Sequence, residues 1–294
     1  MNNFTRQSIL LARQRKLTPS VMLDMAVSNA ALNIFLSITA TLGNCLILVA
    51  LQNVSSIHVA SKLLFQCLAV TDLGVGLITQ PLYAALELKG ATKVNTNSCI
   101  YVIKAQRSSA LILCGVSILT SAAISVDRLL AVVLRQRYRQ VVTLRRVRVL
   151  TICVWLVSLS IGLMDIFLTH HITNVVAGVT MILCVLFSLF SYSIIFVKLR
   201  QHQAQVQDVI NEDNQMEETV DSIAWIQLTL VICYVPFFVC LMIDHSRGPL
   251  IVYDFTVTLS LFNSSINPVL YCWKMKEVRQ AVKETVKSLC CSSN

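Results

Sequence analysis

Apolar residues gather into seven long blocks, at about 27–52, 61–87, 98–132, 149–169, 174–200, 218–244 and 249–273. Each has the length of about 20 residues that carries a helix across a hydrocarbon core. Short polar separators divide them, such as "NVSSIHVAS", "ELKGATKVNTN" and "DHSRGP". A soluble domain with a large core would show shorter, amphipathic stretches, and neither a fixed-period repeat nor a separate soluble segment is visible. Residues 274–294 break the pattern. In "KMKEVRQAVKETVKSLCCSSN", Val278, Ala281, Val282 and Val286 fall on one face at three- and four-residue spacing, with lysines opposite. That spacing predicts an amphipathic helix on a membrane surface, not an eighth span. The predicted fold is an all-α membrane protein, a seven-transmembrane helix bundle closed by a C-terminal amphipathic surface helix.

Composition sharpens the reading. Of 294 residues, 55% are hydrophobic and 13% charged, about half the charged fraction usual in soluble domains. The net charge of +9 invites a nucleic-acid reading, but the positions of the charges argue against one. Lys62, the run from Arg128 to Arg148, Lys198, Arg200 and the basic tail share one side of a seven-span chain. The positive-inside rule makes that side cytoplasmic, with residues 1–26 outside, in the plasma membrane of a cell. Arg6, Arg13, Arg15 and Lys16 run against this orientation, while the "NFT" sequon makes Asn3 a glycosylation candidate suited to it. The eleven cysteines form no disulfide framework, since most sit in apolar runs where cysteine behaves as a small hydrophobe. Cys99 is alone near the outer surface. Cys290 and Cys291 follow the amphipathic segment, the usual setting for palmitoylation; the alternative is two plain thiols.

Ionisable groups inside a span cost several kcal/mol and call for a reason. Asp72 lies mid-way along the second block. Ser117 sits about three helical turns before Arg128, on the same face. Asn263, Asn267 and Tyr271 make one polar stripe at four-residue steps. Asp72, Ser117, Asn263 and Asn267 together are a candidate sodium site; the alternative is a protonated carboxyl held by the backbone. Pro81, Pro236 and Pro268 lie within long apolar blocks and favour kinks. Asp127 and Arg128 end the third block as an adjacent acid and base. At a water-filled mouth such a pair holds by only about 0–1 kcal/mol, so the arginine is releasable to a partner. The alternative is an arginine snorkelling at a helix end.

Together these residues resemble the rhodopsin-like family of G-protein-coupled receptors. The likeness runs through "TLGNCLILVAL" with Asn44, "LAVTDL" with Asp72, "SVDRLLAV" with Asp127 and Arg128, "VWLVSLSIG" with Trp155, "CYVPFF" with Tyr234 and Pro236, and "NPVLY" with Asn267, Pro268 and Tyr271. The resemblance implies that an agonist in the outer half swings the sixth helix about Pro236. Arg128 is then released and a cavity opens for a heterotrimeric G protein. It implies that Tyr192 and Tyr271 turn inward on activation, and that Asp72, Ser117, Asn263 and Asn267 hold sodium in the inactive state. The chain departs from the family at Leu129, where tyrosine is commoner, and at Tyr234, where tryptophan is. "THHITNVV" has no cysteine, the fifth block no proline, and the stretch "NEDNQMEETVDS" is acidic. The first two of these resemble the branch of melanocortin, lysophospholipid, cannabinoid and adenosine receptors, and imply no disulfide to the third helix.

For the ligand, the resemblance places Ala110, Leu111, Cys114, Tyr234 and Leu261 around the binding cavity. Ala110 stands where amine receptors carry an aspartate and Leu261 where opsins carry the retinal lysine, which excludes both ligand types. Lys104 and Arg107, one turn apart at the outer end of the third block, suit an anionic lipid, organic acid or peptide. Neutralisation of these cations by Glu87, Asp165 or Asp244 is the equal alternative. A non-signalling scaffold and a small-solute transporter compete, the latter weakened by a single deep carboxylate and no corresponding halves. Enzyme chemistry has no support: the five histidines lie in loops or at block ends, without a metal or nucleophile motif.

Overall fold

The computed structural model describes residues 19–54, 57–91, 98–167, 170–205, 225, 228–240 and 250–291. No strand occurs among them. Helix α1 spans Pro19–Asn53. Helix α2 runs as Val59–Gly74, a π-helical turn Val75–Thr79 and Gln80–Ala91. Helix α3 spans Ser98–Leu134, α4 Leu144–Phe167 and α5 His170–Gln205. Helix α6 spans Leu228–Cys240, α7 Leu250–Lys274 and α8 Lys276–Cys291.

Among the described residues, five helices are long and apolar enough to cross a membrane, and α6 is a shorter apolar one. Helix α7 is less apolar because it carries Ser260, Asn263, Ser264, Ser265 and Asn267, all of which it buries. Leu42, Phe167, Phe190 and Phe255 meanwhile face outward. Polar groups inside and large apolar ones outside is an arrangement suited to hydrocarbon as solvent. The protein is a multi-pass, seven-helix membrane bundle.

Where helix bounds differ from the apolar blocks, polar residues have found partners. Helix α5 starts at His170, so most of "THHITNVV" is helical, with His170 and Asn174 bound to neighbouring helices. Helix α4 starts at Leu144 because Thr143 accepts the Arg146 N–H at 3.4 Å, an N-cap for an orphan donor. The amphipathic α8 is also more than a surface helix. Val278 joins the core around Tyr271, and Ala281 packs against Ala50 of α1 and Val54 just after it, leaving Val286 exposed.

Pro81 acts through the π turn before it. A proline offers no N–H to the carbonyls one turn earlier, and Ser37 of α1 donates to the Gly76 carbonyl at 2.6 Å instead. On the other side of the bundle, α3 and α4 meet at Gly162. A Cβ there would overlap Ile112 Cγ1 and stand 3.4 Å from the Ser108 carbonyl. Gly162→Ala should therefore cost about 1–3 kcal/mol of stability. A lowered melting temperature of purified protein, partly restored by Ile112→Val, is the expected result. An unchanged melting temperature would show that the two helices part freely.

Candidate functional site

The polar residues of the bundle form three layers. The first lies at the end of α3. Arg135 takes φ 43° and stops the helix, and the turns Arg135–Arg137 and Tyr138–Val141 fold back beneath it. This brings the Tyr138 hydroxyl to Asp127 Oδ1, donating at 2.6 Å, while Ser61 of α2 donates to Oδ2 at 2.8 Å. Arg128 Nη2 stands 3.3 Å from the same Oδ2. The pair is not the open one predicted from sequence: the Asp127 side chain is 3% exposed and that of Arg128 17%. The Arg128 guanidinium also lies over the Phe65 ring at 5.8 Å, and its Nε is buried without a partner among the described residues. His58 packs edge-on against Tyr138, and Phe65 against Tyr271. Tyr192 is half-buried on α5. Beside this layer the Lys274 ammonium lies over the rings of Trp225 and Trp273, at 5.1 and 4.2 Å.

The second layer surrounds Asp72, which is fully buried. Ser264 Oγ donates to one carboxylate oxygen at 2.8 Å and Asn267 Nδ2 to the other at 2.7 Å. Ser117 Oγ faces the same carboxylate short of full hydrogen-bond geometry, and it and Asn267 Oδ1 are buried without partners among the described residues. Asn263 is buried too, but the atom it leaves unpartnered is Nδ2, a donor. Asn44 Nδ2 donates to the Ser264 carbonyl at 3.0 Å, tying α1 to α7. Tyr271, also in α7, is buried with its hydroxyl unpartnered among the described residues. Pro268 packs so closely on α1 that a Cβ at Gly43 would stand 2.9 Å from its Cγ.

The third layer lies at the end of the bundle opposite the first. Tyr234, two residues before the half-buried Pro236, packs with Cys114, Met181 and Phe262, while Leu261 packs with Val75, Tyr83 and Cys114. Ala110 and Leu111 are half-buried one turn further out on α3. Arg107 is paired within the bundle, the second of the two readings that the sequence left open. Its Nε donates to both Asp165 oxygens, at 2.7 and 2.9 Å, and its Nη2 to Asn174 Oδ1. His170 Nδ1 sits 3.0 Å from the same carboxylate. The guanidinium is filled by α4 and α5 because a buried carboxylate lies within reach. Lys104 is exposed. Between α1, α2 and α7 the rim is acidic. Tyr83 lies between Glu87 and Asp254, donates to the Asp254 carbonyl at 3.4 Å, and receives Asn29 Nδ2 at 3.5 Å.

The profile of the 7 transmembrane receptor (rhodopsin family) matches residues 43–271, a stretch that contains the residues around Asp127 and Asp72 and most of the third layer. The chain belongs to that family. Adenosine receptor A3 of Ovis aries is 25% identical over 285 residues, covering 87% of this chain and 88% of that protein. Adenosine receptor A2b of Gallus gallus is 24% identical, covering 93% and 92%. Melanocortin receptor 4 of Danio rerio is 26% identical, covering 87% and 82%. The family is one of receptors, not of enzymes.

Within this receptor, sequence reasoning missed Ser61, Tyr138 and Ser264. A lone serine or tyrosine carries no periodic signal, and only the spacing of Ser264 between Asn263 and Asn267 hinted at the α7 stripe. The glycosylation candidate Asn3 and the loop stretch "NEDNQMEETVDS" lie outside the described residues, as do the side chains of Cys99, Cys290 and Cys291. Among the described cysteines no disulfide is present.

Proposed function

We propose that the chain is a plasma-membrane receptor with an extracellular N-terminus, which binds a ligand in the outer half of the bundle and activates a heterotrimeric G protein. The observation that carries this reading is the caged acid at the end of α3. Asp127 holds Arg128, yet it also accepts two hydroxyl hydrogen bonds, from Ser61 and Tyr138. Losing the arginine therefore does not leave a buried carboxylate unsatisfied. The cage makes release of Arg128 cheap enough for a ligand to drive it, as a two-state element requires. Cys114, Tyr234 and Leu261 would form the floor of the ligand cavity, and Pro236 is where α6 would swing. With Arg107 occupied, the ligand meets Lys104 on one rim and the Glu87–Asp254 corner on the other. The experiment is nucleotide exchange on a panel of G proteins in membranes carrying the chain. Ligand libraries should include cationic, anionic and nucleoside-like compounds. Exchange above that of empty membranes supports signalling; silence from surface-delivered protein would favour a receptor-like scaffold instead.

The Asp72 layer fits a sodium ion, since Ser117 Oγ and Asn267 Oδ1 are buried oxygens in want of a partner beside a carboxylate. Asp72, Ser117 and Asn267 would hold the ion, while the free Asn263 donor suits an accompanying water. A bound sodium supplies a charge that favours the state in which these oxygens converge. Asp72→Asn is then expected to remove the effect of sodium on agonist affinity. Affinity that is the same across sodium concentrations in the unaltered receptor would sink the ion site.

A further inference from the structure

At the end of the bundle that holds Asp127, α6 and α7 meet through aromatic rings. Trp225 is helical and lies three residues before the described start of α6. Its carbonyl accepts the Thr229 hydroxyl at 2.9 Å, which ties it to that helix. The Trp225 ring stands 5.6 Å from the Trp273 ring of α7, tilted at 52°. Lys274, the last residue of α7, sets its Nζ 5.1 Å from the first ring and 4.2 Å from the second. Both distances fall within the roughly 6 Å over which a ring face attracts a cation. One ammonium thus engages a ring from each of two helices. Trp225 is 43% and Trp273 57% exposed, which suits the membrane–water interface. Interface anchoring alone gives no reason for tryptophans of different helices to share one cation.

Little else directional holds α6 at this end. Among the described residues it gives no hydrogen bond or ion pair to another helix there, and Arg128 takes no partner from it. Deeper in the bundle Leu230 and Cys233 pack with Ile118, Met181 and Val185, apolar contacts that have no preferred direction. Trp225 stands eleven residues before Pro236, about 16 Å along a helix. A change of about 20° in the bend at Pro236 would carry its ring by about 6 Å. Lys274 cannot then stay over both rings. The contact therefore exists in one arrangement of α6 and is lost in the other.

We propose that Lys274, Trp225 and Trp273 form a cation–π clamp that holds α6 on α7 in the resting receptor and opens as α6 swings. Its consequence for signalling rests on the proposed function; the clamp itself does not. The chain has three tryptophans, the third being Trp155 of α4. Purified receptor labelled with fluorotryptophan therefore resolves each site by fluorine resonance, assigned by replacing each tryptophan in turn with phenylalanine. Without ligand, the Trp225 and Trp273 signals are expected to be mostly of the clamped form. Lys274→Met is expected to raise the ratio of open to clamped about fivefold, the change that one partly exposed contact of this kind supports. Ligand-independent nucleotide exchange should rise by the same factor. Lys274→Arg keeps a cation over the rings and is expected to restore the clamped population and the low exchange. Lys283→Met, which removes an exposed cation of α8, is expected to change neither. An unmoved ratio in Lys274→Met would overturn the clamp, and so would an equal rise in Lys283→Met. A raised ratio without raised ligand-independent exchange, in a chain that responds to ligand, would overturn its hold on signalling. A raised ratio with no exchange from any variant, ligand or none, would sink the receptor reading and leave the clamp standing.

Discussion

Arg128→Ala is expected to lower ligand-stimulated nucleotide exchange strongly while the protein still reaches the cell surface. The arginine contributes little to the fold: among the described residues its contacts are one 3.3 Å approach to Asp127 and a ring face at 5.8 Å, and its Nε has no partner. Removing it leaves Asp127 with hydroxyl donors from Ser61 and Tyr138 at 2.8 and 2.6 Å, so no buried carboxylate is orphaned. On the proposed function, what is lost is the cation that the open state would present to the G protein. Coupling energies between two such sites typically correspond to about fivefold to 150-fold, and loss of exchange at the upper part of that range is expected. Surface labelling beside the exchange assay separates lost coupling from lost delivery. Full exchange by Arg128→Ala would place coupling elsewhere.

Asp165→Ala acts on the fold instead, and strongly. Its side chain is 1% exposed and takes Arg107 at 2.7 Å, with His170 on the same oxygen. Truncation strands the Arg107 guanidinium, which is 22% exposed, between α3, α4 and α5. Breaking a buried pair from one side costs about 3–5 kcal/mol, and the partial access of Arg107 to solvent puts the expected loss near about 3 kcal/mol. A fall in melting temperature and surface expression should follow, with ligand-stimulated exchange per surviving receptor preserved. The double variant Arg107→Ala with Asp165→Ala is expected to regain part of the loss, since neither charge is then left alone. Identical melting temperatures for Asp165→Ala and the unaltered protein would mean that the clamp contributes nothing.

Much of this was legible in the chain. Apolar block length is a local property, and it announced a membrane bundle because about 20 consecutive apolar residues have few other uses. The polar stripe of α7 was legible for the same reason: Asn263, Asn267 and Tyr271 recur at helical spacing and must share a face. Asp72 stood out because a carboxylate in a span is costly. Arg107 was legible only as a choice between two readings. Its residue type suits an anionic ligand, and the competing partners Glu87, Asp165 and Asp244 looked equivalent along the sequence; only packing chose Asp165.

The sequence by itself determined which residues lie in hydrocarbon, which of them are polar and which share a helix face, because these follow from composition and a period of about 3.6 residues. Tertiary structure alone decided the pairings. Ser61 meets Asp127 across 66 residues, Arg107 meets Asp165 across 58, and Ser264 meets Asp72 across 192. Periodicity ends with each helix, whereas a hydrogen bond between helices depends on how their faces pack. That is why the bundle could be read along the chain, and its locks only across it.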